Sequence, residues 1–245
     1  MALLEVGFHA KALEKWSSMA VLLPEGKGPF PVLYLLHGLS DDHTAWLRRT
    51  SIERYVEGMG LIVVMPDGHR SWYVNDPRAG GHAYEDHIVK DVVGFVDRSF
   101  RTVPGRRGRA IAGLSMGGFG AVMLALRHPE LFCAACSHSG ALAAFHDGAR
   151  HSEGLLALTS AVPPGKHDCF RLARRLKPPR RRPALRLDCG TEDFLLPGNR
   201  AFHAHLAKLG LPHVYEEYPG DHNWGYWDLH VQDTIRFVRE HLVRE

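Results

Sequence analysis

Eight short apolar runs recur along the chain, and the spacing between them predicts an α/β protein. LLEVGFH (3–9) and WSSMAVLLP (16–24) lie too close together for a helix between them, so they are expected to pair antiparallel. PVLYLLHG (31–38), LIVVMPDG (61–68), GRAIAGLS (108–115), LFCAACSHSG (131–140), ALRLDCGTED (184–193) and VYEEYPGD (214–221) complete the set. Several are continuous apolar stretches without alternation, as strands buried on both faces read. Helical patterns fall between them. In Glu85–Phe100 one face carries Ile88, Val89, Val92, Val93 and Val96, and the other Lys90, Asp91, Asp97 and Arg98. GFGAVMLALRHPE (118–130), whose helix should end before Pro129, then Arg200–Leu209 and Tyr226–Val243 are the remaining helical stretches. Strand and helix alternate from residue 31 onward, which predicts a mainly parallel eight-stranded sheet with helices on both faces and an antiparallel start.

Composition narrows the function. The 245 residues suit one domain, spanning 1–245. With 45% hydrophobic and 23% charged residues the chain reads as a soluble globule, and its net charge of +3 argues for no nucleic-acid partner. No apolar run is long enough to span a membrane, and the N-terminus carries no secretion pattern. Four cysteines are too few for a disulfide scaffold. A cytoplasmic location is expected, and a homo-oligomer is compatible with the sequence. One segment departs from the pattern: Gly140–Pro183, read as a cap or lid insertion. Eight Lys/Arg fall within residues 171–186, interrupted by Pro178, Pro179 and Pro183. That run lacks the interleaved aromatics that stack on bases, so a solvated crossover is expected rather than a nucleic-acid patch.

The chemistry concentrates in AIAGLSMGGFGAVMLAL (110–126). Gly113-Leu114-Ser115-Met116-Gly117 forms G-x-S-x-G between a strand and a helix, the context in which this pattern presents a serine nucleophile. Gly113 and Gly117 let strand and helix approach closely, and the helix N-terminus favours developing negative charge. A serine hydroxyl needs a base, and the base an orienting acid, expected in the order Ser, Asp/Glu, His. Thr191-Glu192-Asp193 and Asp221-His222-Asn223-Trp224 follow the last two strands and supply both. Asp193 is preferred over Glu192 by side-chain alternation, without settling it; Asp188, inside the strand, is weaker. Two backbone N–H groups should hold the oxyanion: Met116, and Leu39 in the loop HGLSDDHTAW (37–46). His37 is expected to shape that loop. The cluster His37, Asp41, Asp42, His43 matches no metal-ligand spacing, so no metal is expected. Trp46, Trp72 and Trp224, with Trp227, lie beyond strand C-termini, where open α/β sheets place their sites. They either line an acyl or alcohol pocket or pack loops onto the body. Cys133 and Cys136 sit in an apolar strand and read as packing residues, and Ser139 reads as a turn residue.

Taken in order, LLHGLSDDHTAWLRRTSIERY, VVMPDGHRSWY, IAGLSMGGFGAVMLALRHPELF, CGTEDFLLPGNRAFHAHL and YPGDHNWGYWD resemble the esterase D-type branch of the α/β-hydrolases, nearest to tributyrin and acetyl esterases. The resemblance implies an α/β-hydrolase fold, a Ser115–Asp193–His222 triad, a Leu39/Met116 oxyanion hole and hydrolysis of short acyl esters without a cofactor. Small-molecule esters are then the expected partners. Leu114 departs from the GHSMGG of formylglutathione hydrolases, and Asp221 and Asn223 depart from the G-G-H-D-W common near the histidine. The expected function is a serine carboxylesterase for acetyl to butyryl groups, because 245 residues leave little beyond 140–183 to cover the pocket. The alternatives are an S-formylglutathione hydrolase or acyltransferase of the same fold, and a non-catalytic binding protein on the same scaffold.

Overall fold

The computed structural model describes residues 1–78, 80–146, 158–163, 165–176 and 182–243. Eight strands form one sheet: β1 (Ala2–Ala10), β2 (Lys15–Leu23), β3 (Val32–Leu36), β4 (Ile62–Pro66), β5 (Arg109–Leu114), β6 (Ala134–His138), β7 (Ala184–Gly190) and β8 (Val214–Tyr218). Their spatial order is β1-β2-β4-β3-β5-β6-β7-β8. β1 pairs antiparallel with β2, and β2 with β4; every other pairing is parallel. The antiparallel start and the parallel remainder agree with the apolar pattern.

Alternate residues of the central strands feed two cores. Val32, Tyr34 and Leu36 of β3 pack on one face of the sheet, Leu33 and Leu35 on the other. The first face is covered by α3 (residues 84–99), α4 (Met116–Arg127), α5 (Cys169–Arg175) and α6 (Leu196–Lys208). The second is covered by α1 (Ala45–Arg49), α2 (Ile52–Val56) and α7 (Trp224–His241). Both faces are apolar because both are buried, which is why these strands show no alternation.

Several boundaries move for local reasons. α4 starts at Met116 rather than 118, because the helix begins directly behind Ser115. α6 starts at Leu196 with a proline in its first turn, where the missing N–H costs nothing. α7 starts at Trp224 because the Asn223 side chain accepts the Tyr226 N–H at 3.0 Å. α3 contains a π-helical turn over His87–Val92. α1 and α2, within and just beyond the 37–46 loop, are too short for periodicity to reveal.

Of the expected cap, 147–157, 164 and 177–181 lie outside the described residues. The described part is docked: Cys169, Phe170, Leu172 and Ala173 of α5 belong to the first core. Arg186, at the end of the basic run, is not solvated but buried in β7, paired with Asp188 and with Glu216 at 2.7 Å. No described helix is long and apolar enough to cross a membrane.

Candidate active site

The turn between β5 and α4 holds Ser115 at φ 53° and ψ −116°, a conformation L-residues avoid unless their surroundings enforce it. The enforcement is steric. A Cβ on Gly113 would lie 2.5 Å from the Gly117 carbonyl group, and one on Gly117 would lie 2.5 Å from the Leu36 carbonyl oxygen. Strand β3, strand β5 and helix α4 therefore meet backbone to backbone. The Ser115 N–H donates to the His138 carbonyl at 3.0 Å, tying the turn to β6.

His222 sits in the loop between β8 and α7. Its Nδ1 lies 2.8 Å from Asp193 Oδ2 and its Nε2 3.0 Å from Ser115 Oγ. An ionised carboxylate only accepts, which puts the proton on Nδ1 and leaves Nε2 to accept from the serine hydroxyl. Asp193 is buried, which by itself favours the neutral acid. Hydrogen bonds from His222, from the Leu195 N–H at 2.8 Å and from Ser139 outweigh burial and hold the carboxyl below its usual range. Glu192 serves the loop instead: its exposed carboxylate accepts the Gly220 N–H at 2.6 Å and steadies the segment that carries His222. Asp188 lies behind the site, fully buried against His138 at 2.8 Å and the Tyr226 hydroxyl at 3.0 Å.

The loop after β3 faces Ser115 from the other side. A Cβ on Gly38 would stand 3.9 Å from Ser115 Cβ and 2.8 Å from Leu114 Cδ1. Leu39 follows directly, and Met116 opens α4 with one of the N–H groups that a helix leaves without an internal acceptor. His37 fixes this loop. Its Nε2 accepts the Gly68 N–H at 2.8 Å, its Nδ1 donates to the Gly38 carbonyl at 2.7 Å, and its own carbonyl takes the Tyr73 hydroxyl at 3.0 Å. Asp42 is spent on the Thr44 N–H and hydroxyl, and His43 on Glu5 at 3.2 Å. Among the described residues no three His, Cys, Asp or Glu gather as a metal site.

The tryptophans divide. Trp46 is 1% exposed, donates its indole N–H to the Leu36 carbonyl at 3.1 Å and packs edge-on against Trp224. It braces the loop against the body, the packing role that the sequence left open beside pocket lining. Trp72 is half-buried and lines a cleft of about 420 Å³ beside Leu39. Trp224 is half-buried between Trp46 and Trp227, and Trp227 meets the His222 ring edge-on at 4.9 Å. Two residues escaped the sequence. Phe194, 72% exposed, lies 4.6 Å from the His222 ring; its signal was an apolar residue in a loop directly after the candidate acid. Ser139 is fully buried at φ 47°, accepts the Trp227 indole N–H at 3.2 Å and hydrogen-bonds Asp193. Cys133 and Cys136 are free and buried, and burial pushes their thiols up to about 11 and about 12, far from reactive thiolates.

Comparison with known proteins converges on one family. The esterase family profile matches residues 10–237. An acetyl esterase of Caldicellulosiruptor saccharolyticus is 26% identical over 97% of this chain and 98% of its own. The fluorophosphonate-binding serine hydrolase FphF of Staphylococcus aureus superposes with a TM-score of 0.85 at 31% identity, over 97% of this chain and 98% of that one. The S-formylglutathione hydrolase FrmB of the same organism gives 0.84 at 32% identity, with the same coverage. With a mostly parallel eight-stranded sheet and a serine, histidine and aspartate joined at its C-terminal edge, this chain belongs to the esterase family of α/β-hydrolases, serine enzymes that hydrolyse carboxylic esters.

Proposed function

We propose that Ser115, His222 and Asp193 are the catalytic triad, with the Leu39 and Met116 N–H groups as oxyanion hole, and that the substrates are short-chain acyl esters from acetyl to butyryl. One observation carries this reading: the unbroken chain of hydrogen bonds from buried Asp193 through His222 to the strained Ser115 hydroxyl. His222 Nε2 takes the Ser115 proton as Oγ attacks the ester carbonyl carbon. The carbonyl oxygen becomes an oxyanion against the two N–H groups. The bond to the alcohol breaks, His222 protonates the departing oxygen, and the acyl group stays on Ser115 as an ester. Water, deprotonated by His222, then attacks that ester; the carboxylic acid leaves and Ser115 regains its proton. Asp193 stays ionised throughout and offsets the charge on the imidazolium.

S-formylglutathione is the second reading, favoured by the 32% identity to FrmB. Leu114, the departure from that group's motif, is buried beneath Gly38, so it does not weigh against this substrate. Transfer to an alcohol acceptor would use the same acyl-enzyme. The four free, buried cysteines suit a reducing cytoplasm.

The test is a p-nitrophenyl ester series from acetate to octanoate, run beside S-formylglutathione, with wild type and Ser115→Ala. Wild type is expected to hydrolyse the acetate through butyrate esters faster than octanoate, and the variant to lose activity by about a thousandfold or more. Near-wild-type activity in Ser115→Ala would refute the triad.

A further inference from the structure

The loop 67–76 is built more tightly than a connection requires. His69, Trp72 and Tyr73 all have positive φ (47°, 57° and 56°), three left-handed non-glycine residues within five positions. Such strain persists only where the surroundings over-determine it, and it clusters at ligand clamps. Here the pins are explicit. The Gly68 N–H donates to His37 Nε2, the Ser71 hydroxyl to the Gly68 carbonyl at 2.6 Å, the Tyr73 N–H to Ser71 Oγ at 3.0 Å, and the His69 N–H to Asp67 Oδ1 at 2.7 Å. A Cβ on Gly68 would stand 2.2 Å from the Tyr73 ring, so only glycine fits there.

The loop presents Arg70 and Trp72 to the 420 Å³ cleft that Leu39 shares. The charges around that cleft do not balance. Among the described residues its one acid, Asp76, is engaged on both oxygens by Arg78. Arg70 instead donates to the neutral Ser40 hydroxyl at 3.2 Å, next to Leu39, and no carboxylate among the described residues pairs with it. His69 and His82 line the same wall. Asp41 and Asp67 are not among the lining residues: Asp41 abuts Gly38, and Asp67 is held by the His69 N–H beside His37.

We propose that this cleft is a specificity pocket in which Arg70 binds a carboxylate carried by the ester, so that the enzyme prefers anionic esters to neutral ones of the same size. The proposal rests on the esterase reading above. The carboxylate could sit on the acyl group, as in a half-ester of a dicarboxylic acid, or on the alcohol. The cleft shares Leu39 with the proposed oxyanion hole, while the His222 proposed to protonate the alcohol is not among its lining residues, which favours the acyl group.

The experiment compares kcat/KM for p-nitrophenyl hemisuccinate against p-nitrophenyl butyrate, and for 4-acetoxybenzoate against its methyl ester. Each pair is read as an anionic-to-neutral ratio within wild type, Arg70→Gln and Arg70→Lys, with thermal unfolding as the folding check. In wild type the hemisuccinate ratio is expected to fall with added salt, because a partly exposed charge pair is screened. In Arg70→Gln it is expected to drop about fivefold and lose its salt dependence, with Arg70→Lys between the two. A drop confined to the acetoxybenzoate pair places the carboxylate on the alcohol and still supports the pocket. Ratios unchanged in both pairs overturn the proposal while the neutral esters still report esterase activity. Absence of any Ser115-dependent hydrolysis would instead overturn the underlying reading.

Discussion

At the residue scale, the site depends on side chains that hold other side chains. Ser139 shows this best. Its hydroxyl links the Trp227 indole to Asp193, and its φ is positive, as that of Ser115 is. It touches no substrate, so it is a positioning residue. Replacing it by alanine removes a donor from the Asp193 carboxylate, a loss worth about tenfold for one hydrogen bond to a charged group. Ser139→Ala is expected to lower kcat by that factor with little change in KM. The released carboxylate attracts the imidazolium more strongly, so the acid limb of the kcat/KM profile should move to higher pH. A merely structural serine would lower only the apparent kcat, through lost active protein, and leave the profile in place. The sequence exposes Ser139 only as a residue after a strand, because its partners come from β7–α6 and α7, far along the chain.

At the element scale, the strand–turn–helix around Ser115 is a packing solution as much as a catalytic one. α4 can lie against β3 only because Gly117 has no side chain; a methyl group there would meet the Leu36 and His37 carbonyl oxygens at 2.5 and 2.6 Å. Those are backbone atoms and cannot rotate away. Gly117→Ala is expected to destabilise the protein by about 1–3 kcal/mol in urea unfolding, as overpacking does. It should also reduce kcat, because the displaced loop and helix carry Leu39 and Met116. The elements themselves were legible wherever their residues report burial. Both-face apolar strands and the Ala/Leu-rich helix behind Ser115 stood out, whereas α1 and α2 complete too few turns to show a period.

Across the whole molecule, two buried polar networks tie the layers together. Glu85 on α3 accepts from Arg127 at 2.7 Å, His128 at 2.8 Å and His167 at 3.1 Å, joining α3, α4 and the segment leading into α5. Asp188 joins β6, β7 and α7 through His138, Arg186 and Tyr226. Burial alone would raise both carboxyls, but these donors hold each of them below the usual range. A carboxyl depressed in the fold contributes stability above its unfolded value of about 4 and loses it as pH falls. His167, depressed by burial, acts in the same direction at its own higher range. The urea midpoint is therefore expected to fall between pH 7 and pH 4, and Glu85→Gln should flatten the slope between pH 5 and pH 3. An unaltered slope would remove Glu85 from this role. The sequence by itself determined the sheet, the order of its strands along the chain, the G-x-S-x-G turn and the Ser, Asp, His order, because burial periodicity and steric need are written locally. Which acid meets His222, that Trp46 packs beneath the loop, that Phe194 and Ser139 flank His222 and Asp193, and that Arg70 shares a cleft with Leu39 were decided only in three dimensions. Those facts depend on which loops the parallel crossovers bring to one edge of the sheet, and no local pattern encodes that meeting.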